Sequence, residues 1–208
     1  MYVEVLVEDI SGKKAIEILA PKLFNIPTRI HHYKGIGHIP KNMRPKTDAS
    51  KRQLLNELPR LLQGFGRVSA CQAVVIICDL DDRDKQAFLA ELNNILESCS
   101  PKPNAIFCLA VEEFEAWYLG DINAIKQAYP RAKNNVLNAY ENDTICGTWE
   151  TLADAVYKGG SKDLIKKGWQ EIGKQKSAWA ENIAPHMNVD ENLSPSFNEM
   201  RGKLQNIT

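Results

Sequence analysis

The sequence predicts an α/β protein built on a parallel sheet of about four strands, with flanking helices and a helical C-terminal extension. Two observations lead to this fold class. Strand-like and helix-like segments alternate up to residue 110 in the order β-α-β-α-β-α-β, which is typical of a parallel sheet with helices on both faces. Residues 73–78 form an uninterrupted apolar run, as expected of a strand that is buried on both faces.

The first half of the sheet is predicted near the N-terminus. Residues 2–8 alternate and are rich in valine, and residues 28–33 can form a second, shorter strand. Apolar residues between them recur at helical spacing, and Pro27 follows the end of that helix. Residues 34–50 contain two glycines and two prolines but no apolar period, which predicts a long loop.

The remaining elements follow from the spacing of apolar residues. Leucines at helical spacing predict a helix over residues 51–63, although Pro59 inside it predicts a kink or a break. A helix over about 83–98 and a strand over 105–110 come after the buried strand, and the pattern from residue 111 onward is helical. We therefore expect an α/β domain over residues 1–122 and a helical extension over residues 123–208 that packs on it.

Composition excludes several classes of protein. The 208 residues include 26 basic and 26 acidic side chains, so the whole chain is not a polycation that coats nucleic acid. The sequence has no long apolar run, and its first eight residues are acidic where a signal peptide is basic, so we predict a cytoplasmic protein with no membrane partner. Cys71, Cys78 and Cys108 lie in or beside apolar strands without CxxC spacing, which predicts structural thiols and no zinc site.

Acidic residues follow three of the four predicted strands. Glu8 follows the first strand, Asp79 and Asp81 the third, and Glu113 and Glu115 the fourth. Ligands of parallel sheets gather at the carboxyl ends of the strands, and carboxylates crowded there repel one another unless a cation lies between them. Mg²⁺ prefers oxygen ligands and is usually completed by substrate phosphates. The pattern therefore predicts Mg²⁺, or Mn²⁺, beside a phosphate-containing substrate.

The alternative for each acid alone is a loop residue that faces water. The fourth-strand acids add a geometric restriction, because Glu113 and Glu115 diverge by roughly 200° on a regular helix. Only one of them is expected to point into the site unless the helix begins between them. Glu112 shares a helical face with Glu115 and is the fallback.

The motifs that carry these acids resemble those of Toprim domains, the metal-binding fold of topoisomerases, primases and OLD-type nucleases. The sequence VEDIS at residues 7–11 is similar to the Toprim VEGxx(D/E) turn, and DLD at residues 79–81 is similar to the DxD strand end. The sequences AVEEFEAWYLGD at residues 110–121 and NLSPSF at residues 192–197 resemble segments of bacterial Toprim-like families of unknown function.

The resemblance implies a Toprim-like sheet and a function for each acid. It implies that Glu8, Asp79 and Asp81 bind Mg²⁺ or act in catalysis. The further acid of OLD-type sites falls to Glu115, which we assign to catalysis, or to Glu113, which we assign to the metal. It also implies a nuclease that works with a separate ATPase subunit, in defence against phage.

Two positions depart from the family pattern. Asp9 stands where the family usually has glycine, so the turn must accommodate a side chain. Gly12 stands where many members carry an acid, which weakens or removes a second metal site. Two-metal nuclease activity is therefore more in question than metal binding is.

Two basic segments and three tryptophans complete the candidates for function. Residues 29–52 contain seven Lys or Arg residues and one acid, and we expect nucleic acid to contact this loop unless it is only a solvated surface; the assigned residues are Lys34, Lys41, Arg44 and Lys46. Residues 158–176 contain six lysines but lack the spacing of a phosphate-binding P-loop. Helical spacing favours a place in the core, over a function in stacking on bases, for Trp117, Trp169 and Trp179.

Three functions are compatible with these patterns. The first is a Mg²⁺-dependent nuclease or related phosphoryl-transfer enzyme, with a carboxylate such as Glu8 as general acid or base. The second, favoured by Gly12, is a non-catalytic module that binds nucleic acid or a partner protein. The third is a receiver-type phosphoacceptor at Asp79, but receivers need a lysine at a later strand end and a fifth strand, and neither is visible in the sequence.

Overall fold

The computed structural model describes residues 1–40, 52–144 and 146–207, and it confirms the α/β fold class. Four strands form one parallel sheet: β1 (Tyr2–Val7), β2 (Thr28–His32), β3 (Cys71–Asp79) and β4 (Ala105–Ala110). Their order across the sheet is β2-β1-β3-β4, and every neighbouring pair is parallel. The carboxyl ends of β1, β3 and β4 therefore lie side by side at one edge of the sheet.

Within the described part of the chain, three helices connect the strands. They are α1 (Ile10–Leu23), α2 (Leu54–Phe65) and α3 (Lys85–Glu97). Asp84 begins α3 by accepting a hydrogen bond of 2.7 Å from the backbone N–H of Ala87. The α2 helix continues past Pro59 without the predicted break. Its buried leucines pack on the sheet, and this burial outweighs the one backbone hydrogen bond that proline removes.

Seven helices follow β4, as the helical pattern of the C-terminal part predicts. They are α4 (Glu115–Leu119), α5 (Ile122–Ala128), α6 (Asn134–Ala139), α7 (Thr148–Val156), α8 (Gly160–Lys167), α9 (Trp169–Ile183) and α10 (Pro195–Leu204). Two short 3-10 turns, Ala184–His186 and Gln205–Ile207, follow α9 and α10. In the described residues the sheet has four strands, so the fifth strand that a receiver domain requires is absent there.

Two apolar cores lie on opposite faces of the sheet. Leu6, Val74 and Ile76 face α2 and α3, whereas Val5, Val75 and Ile77 face α1 and the helices that follow β4. The second of these cores extends to Leu204 and Ile207, so the C-terminal helices share a core with the sheet. Because α9 packs directly on α1, α9 lies close to the turn that joins β1 to α1.

Burial of the tryptophans corrects one prediction. Trp117 and Trp179 are buried as predicted, but the prediction for Trp169 is wrong, because that residue is 82% exposed. All five cysteines are free; Cys78 and Cys108 are buried, and Cys71 is half-buried. Within the described part of the chain, no helix combines the length and apolar character that a membrane-spanning helix requires.

Candidate functional site

Four acidic side chains meet at the carboxyl edge of the sheet. Glu8 directly follows β1, Asp79 is the last residue of β3, and Glu113 and Glu115 follow β4. The backbone N–H of Asp79 lies 3.3 Å from a carboxylate oxygen of Glu8, to which it donates a hydrogen bond. The neighbouring strand ends therefore bring the predicted acids together in one place.

Lys176 of α9 lies at the centre of this group. Its Nζ is 3.2 Å from Glu113 Oε1 and 3.3 Å from Glu115 Oε2. The side chains of Lys176, Glu113 and Glu115 are only 16%, 18% and 3% exposed. Both glutamates reach the same ammonium group because α4 begins at Glu115, which leaves Glu113 outside the regular helix.

Glu8 and Asp79 carry more negative charge than the surrounding groups neutralise. Burial, followed by the charges of Asp81 and Asp9, raises the pKa of Glu8 to about 7, although hydrogen bonds from the backbone N–H groups of Asp79 and Ile36 oppose the rise. Burial and the nearby charge of Glu8 raise the pKa of Asp79 well above its ordinary value. A cation beside these carboxylates would therefore be stabilised.

Lys176 neutralises the other two acids, Glu113 and Glu115, only in part. Burial raises the pKa of Glu113 to about 7 and also raises that of Glu115, in each case against the opposing charge of Lys176. Burial alone would lower the pKa of Lys176, but Glu115, Glu113 and Asp79 outweigh it and raise the pKa. The Oε2 atoms of both glutamates are buried: that of Glu115 forms the ion pair with Lys176, whereas that of Glu113 accepts no hydrogen bond from the described residues.

Asp81 lies at the margin of the group. Its backbone has a left-handed φ of 50°, and its side chain, 42% exposed, forms an ion pair of 2.9 Å with Arg83. The charge of Asp81 nevertheless contributes to the raised pKa of Glu8. Asp81 is therefore within electrostatic range of the site while its carboxylate contacts a surface arginine.

Two other acids of the motifs stabilise helix ends. Asp9 precedes α1, where it accepts a 2.7 Å hydrogen bond from the N–H of Gly12, so the aspartate at the usual glycine position is an N-cap. Glu112 accepts hydrogen bonds from the N–H groups of Gly147 and Thr148 at the start of α7. These contacts occupy both acids with backbone groups.

Space for a side chain at residue 12 is limited. A Cβ atom added to Gly12 would lie 3.3 Å from Asp9 Oδ1 and 3.8 Å from the ring of Phe114. An aspartate at this position would also bring a second negative charge against the N-cap. The glycine therefore fits tightly beneath the acidic group.

The site offers Mg²⁺ two carboxylates rather than a complete set of protein ligands. Among residues 1–40, 52–144 and 146–207, no three side chains of His, Cys, Asp or Glu are grouped closely enough to hold a metal ion among themselves. Mg²⁺ commonly takes only one or two protein carboxylates, however, and completes its shell with water and phosphate oxygens. Glu8 and Asp79 supply such a pair, and a cavity of about 20 Å³ beside them, which also touches Glu115 and Lys176, has room for one ion or water.

The predicted nucleic-acid contacts are mostly outside the described residues. Lys34 is exposed just beyond β2, at the same edge of the sheet as Glu8. Lys41, Arg44 and Lys46 lie outside the residues that the structure describes.

Lys176 is the site residue that sequence reasoning missed. In the sequence it belongs to a basic segment, where nothing distinguishes it from the other lysines. The signal that could have identified it is its position in the apolar stripe of α9, formed by Ile172, Trp179 and Ile183, where a lysine is unusual without a buried partner.

The sequence matches a known protein family over most of its length. Residues 7–205 match the family described as Domain of unknown function (DUF4276), so the similarity covers almost the whole chain and every acid of the site. No curated protein and no solved structure matches the sequence.

Proposed function

The chain belongs to the DUF4276 family, whose description names no activity, and from its acidic site we propose that it is a Mg²⁺-dependent phosphodiesterase that acts on nucleic acid. One observation carries this proposal. Three adjacent strand ends bring Glu8, Asp79, Glu113 and Glu115 into one group, in which Lys176 pairs with the two residues after β4. Such an arrangement stabilises cations and is suited to the charges of phosphoryl transfer.

Each residue has a distinct task in the proposed reaction. Glu8 and Asp79 would hold the metal, which when bound supplies Lewis-acid polarisation of a phosphate oxygen and an activated water. Lys176 holds Glu113 and Glu115 in place and keeps a positive charge at the site. Glu115, which is 2% exposed and pairs with Lys176 through Oε2, lines the cavity and is available there to a proton or a water. Asp81 adds negative charge at the margin.

The setting of the enzyme is part of the proposal. Five free cysteines suit a reducing compartment, which supports action in the cytoplasm. The resemblance to OLD-type Toprim domains supports a separate ATPase subunit and a function in phage defence. The exposed Lys34 beyond β2 supports nucleic acid as the substrate.

A second function is favoured by Lys176. Its ammonium group already lies between two of the acids, and the described residues contain no group of three metal-binding side chains. A non-catalytic module that binds nucleic acid or a partner protein would need no more than this. The two functions differ in whether the site catalyses cleavage of the nucleic acid or only binds its partner.

Cleavage of labelled single-stranded DNA and RNA with Mg²⁺ or Mn²⁺ tests the proposal. Asp79→Asn should lower the cleavage rate by about 100-fold or more, because it removes a negative charge from the metal-binding pair. Asp82→Asn is the matched control, since Asp82 is an exposed acid three residues further along and should leave the rate unchanged. The assay is run with and without the ATPase encoded beside the gene, if one is present there. Binding without cleavage under either metal would establish the non-catalytic function instead.

A further inference from the structure

The corner between α8 and α9 exposes a large aromatic surface. Trp169, the first residue of α9, is 82% exposed, whereas the other three tryptophans are at most 7% exposed. Ile165, in the last turn of α8, is 53% exposed, and its carbonyl oxygen accepts a hydrogen bond from the N–H of Gly168 at the corner. Covering an exposed apolar surface of this kind with a flat partner lowers the free energy, so the surface favours binding of such a partner.

The surface around Trp169 is positively charged. Residues 158–174, which leave out the site residue Lys176, contain five lysines and two acids, although the charges of the whole chain cancel. The two acids, Asp163 and Glu171, pair with Lys166 and Lys174, so an excess of three positive charges remains. Lys162, Lys166 and Lys167 are exposed on α8, directly before the tryptophan. Lys167 Nζ also lies 2.7 Å from the hydroxyl group of Tyr157. The corner therefore attracts an anionic partner.

The same helix connects this corner to the acidic site. Trp169 and Lys176 are seven residues apart on α9, so they lie on nearly the same side of the helix and about 10 Å apart along its axis. Ile172 and Trp179 belong to the same stripe and are buried. The stripe therefore enters the core at Ile172, and only its first residue remains outside.

A partner that is both anionic and aromatic matches this combination. We propose that Trp169 is a stacking platform for an unpaired base of single-stranded DNA or RNA, whose phosphates contact the lysines of α8. Bases of a duplex are stacked on one another, so a free base face is available only in a single strand or a distorted duplex. This inference specifies the substrate class of the proposed function, on which it rests, since Trp169 begins the helix that carries Lys176 and lies about 10 Å from it along the helix axis.

Binding without a divalent metal tests the platform separately from cleavage. The probe is a fluorescein-labelled 15-nucleotide oligothymidylate, titrated in EDTA so that no turnover occurs. Trp169→Ala should weaken binding by about 5- to 150-fold, the range that base–aromatic stacking produces. Trp169→Phe should retain most of the affinity, because it keeps an aromatic face. Leu193→Ala is the control: Leu193 is 68% exposed in the segment before α10, and its loss should change nothing.

The salt dependence separates stacking from charge. Trp169→Ala should lower affinity at every salt concentration with an unchanged slope, whereas reversing Lys166 and Lys167 to Glu should reduce the slope by about 0.7 for each phosphate that the lysines no longer neutralise. The three buried tryptophans contribute little accessible fluorescence, so quenching by the oligonucleotide should disappear with Trp169.

Three outcomes would overturn the inference. They are wild-type affinity in Trp169→Ala, equal affinity for a duplex of the same length, and equal affinity for a 15-nucleotide strand with abasic positions. The last two would identify a purely electrostatic surface, and the first would assign the corner to a different partner, such as a protein. Absence of cleavage would contradict the proposed phosphodiesterase but would leave this result intact, because the binding experiment contains no metal.

Discussion

Two acids, one within strand β1 and one directly after it, lie in very different surroundings. Glu4, within the strand, is 4% exposed, and its carboxylate lies 2.6 Å from His31 Nε2 and 3.9 Å from Arg29 Nη1, both on the neighbouring strand β2. Glu8, four residues later, meets Asp79, Asp81 and Asp9 instead, and its pKa rises to about 7. The first acid is matched by basic neighbours, and the second is surrounded by further acids.

The difference separates a structural acid from a functional one. A buried carboxylate that only supports the fold needs a partner, as Glu4 has and as Glu57 of α2 has in Arg60. Four clustered acids, of which only Glu113 and Glu115 pair with Lys176, are costly to the fold, and such an arrangement is typical of sites that bind a further charged group. The comparison therefore predicts opposite responses to mutation at the two ends of β1.

The largest effect on the free energy of unfolding is expected from replacing Lys176. Lys176→Met would leave Glu113 and Glu115 buried without a cation, and removal of one partner from a buried ion pair costs about 3–5 kcal/mol in the free energy of unfolding. Urea unfolding at pH 8 measures this. Lys14→Met is the matched control: Lys14 of α1 pairs with Glu181 of α9 at 2.6 Å on the surface, and its loss should cost less than about 1 kcal/mol.

A second variant keeps the test informative if Lys176→Met does not fold. Adding Glu115→Gln to Lys176→Met removes one of the stranded charges and should recover part of the lost stability. If Lys176→Met cost no more than the surface control, the acids would not depend on this lysine. The contrast between the two ends of β1 would then lose its main support.

The second largest effect on stability is expected from neutralising Glu4, within β1, and Glu8, directly after it. Glu4→Gln should lower the free energy of unfolding by about 1.5–3 kcal/mol, because it removes a charge-assisted hydrogen bond to His31. Glu8→Gln should leave stability at pH 8 unchanged or raise it, because it removes repulsion while its amide oxygen still accepts from the Asp79 N–H. Chemical unfolding of the two variants side by side measures this, and a loss of similar size in both would show that Glu8 is structural.

The fold and the position of the acids follow from local features of the sequence. The apolar run of β3 and the alternation of β1 predict a parallel sheet, and the acids directly after those strands must then lie at one edge. Each of these inferences uses residues that are close in sequence. That is why Glu8 and Asp79 could be predicted to lie near each other.

Other parts of the site depend on tertiary structure or on competing backbone contacts. Lys176 lies 61 residues beyond Glu115 in the sequence and reaches the acids only because α9 packs on α1. Asp9 and Glu112 resemble ligands in sequence, but each is occupied by N–H groups at a helix start, an alternative that local pattern does not reveal. Trp169 continues an apolar stripe whose first turn extends beyond the core.

The smallest effect concerns pH and magnesium together. Glu8 has a folded-state pKa of about 7 against an ordinary 4.5, so between these values the folded protein binds more protons than the unfolded chain. Its contribution to stability is fully present below pH 4.5 and is lost as the pH rises through 7. Solvent screens this half-buried group, so we expect the free energy of unfolding to fall by about 1–2 kcal/mol between pH 5 and pH 8.

Magnesium should oppose that loss, because it binds the ionised form of the acids in the folded state. At ten times its Kd, Mg²⁺ adds about 1.4 kcal/mol at pH 8 and less at pH 5, where protons compete for the same carboxylates. Urea unfolding at both pH values with and without Mg²⁺ measures the difference, and Asp79→Asn should remove most of the increment while Asp82→Asn retains it. An increment that is equal at both pH values, or that survives Asp79→Asn, would place the ion away from Glu8 and Asp79. The excess of acid at this end of β1 would then be relieved by protons alone.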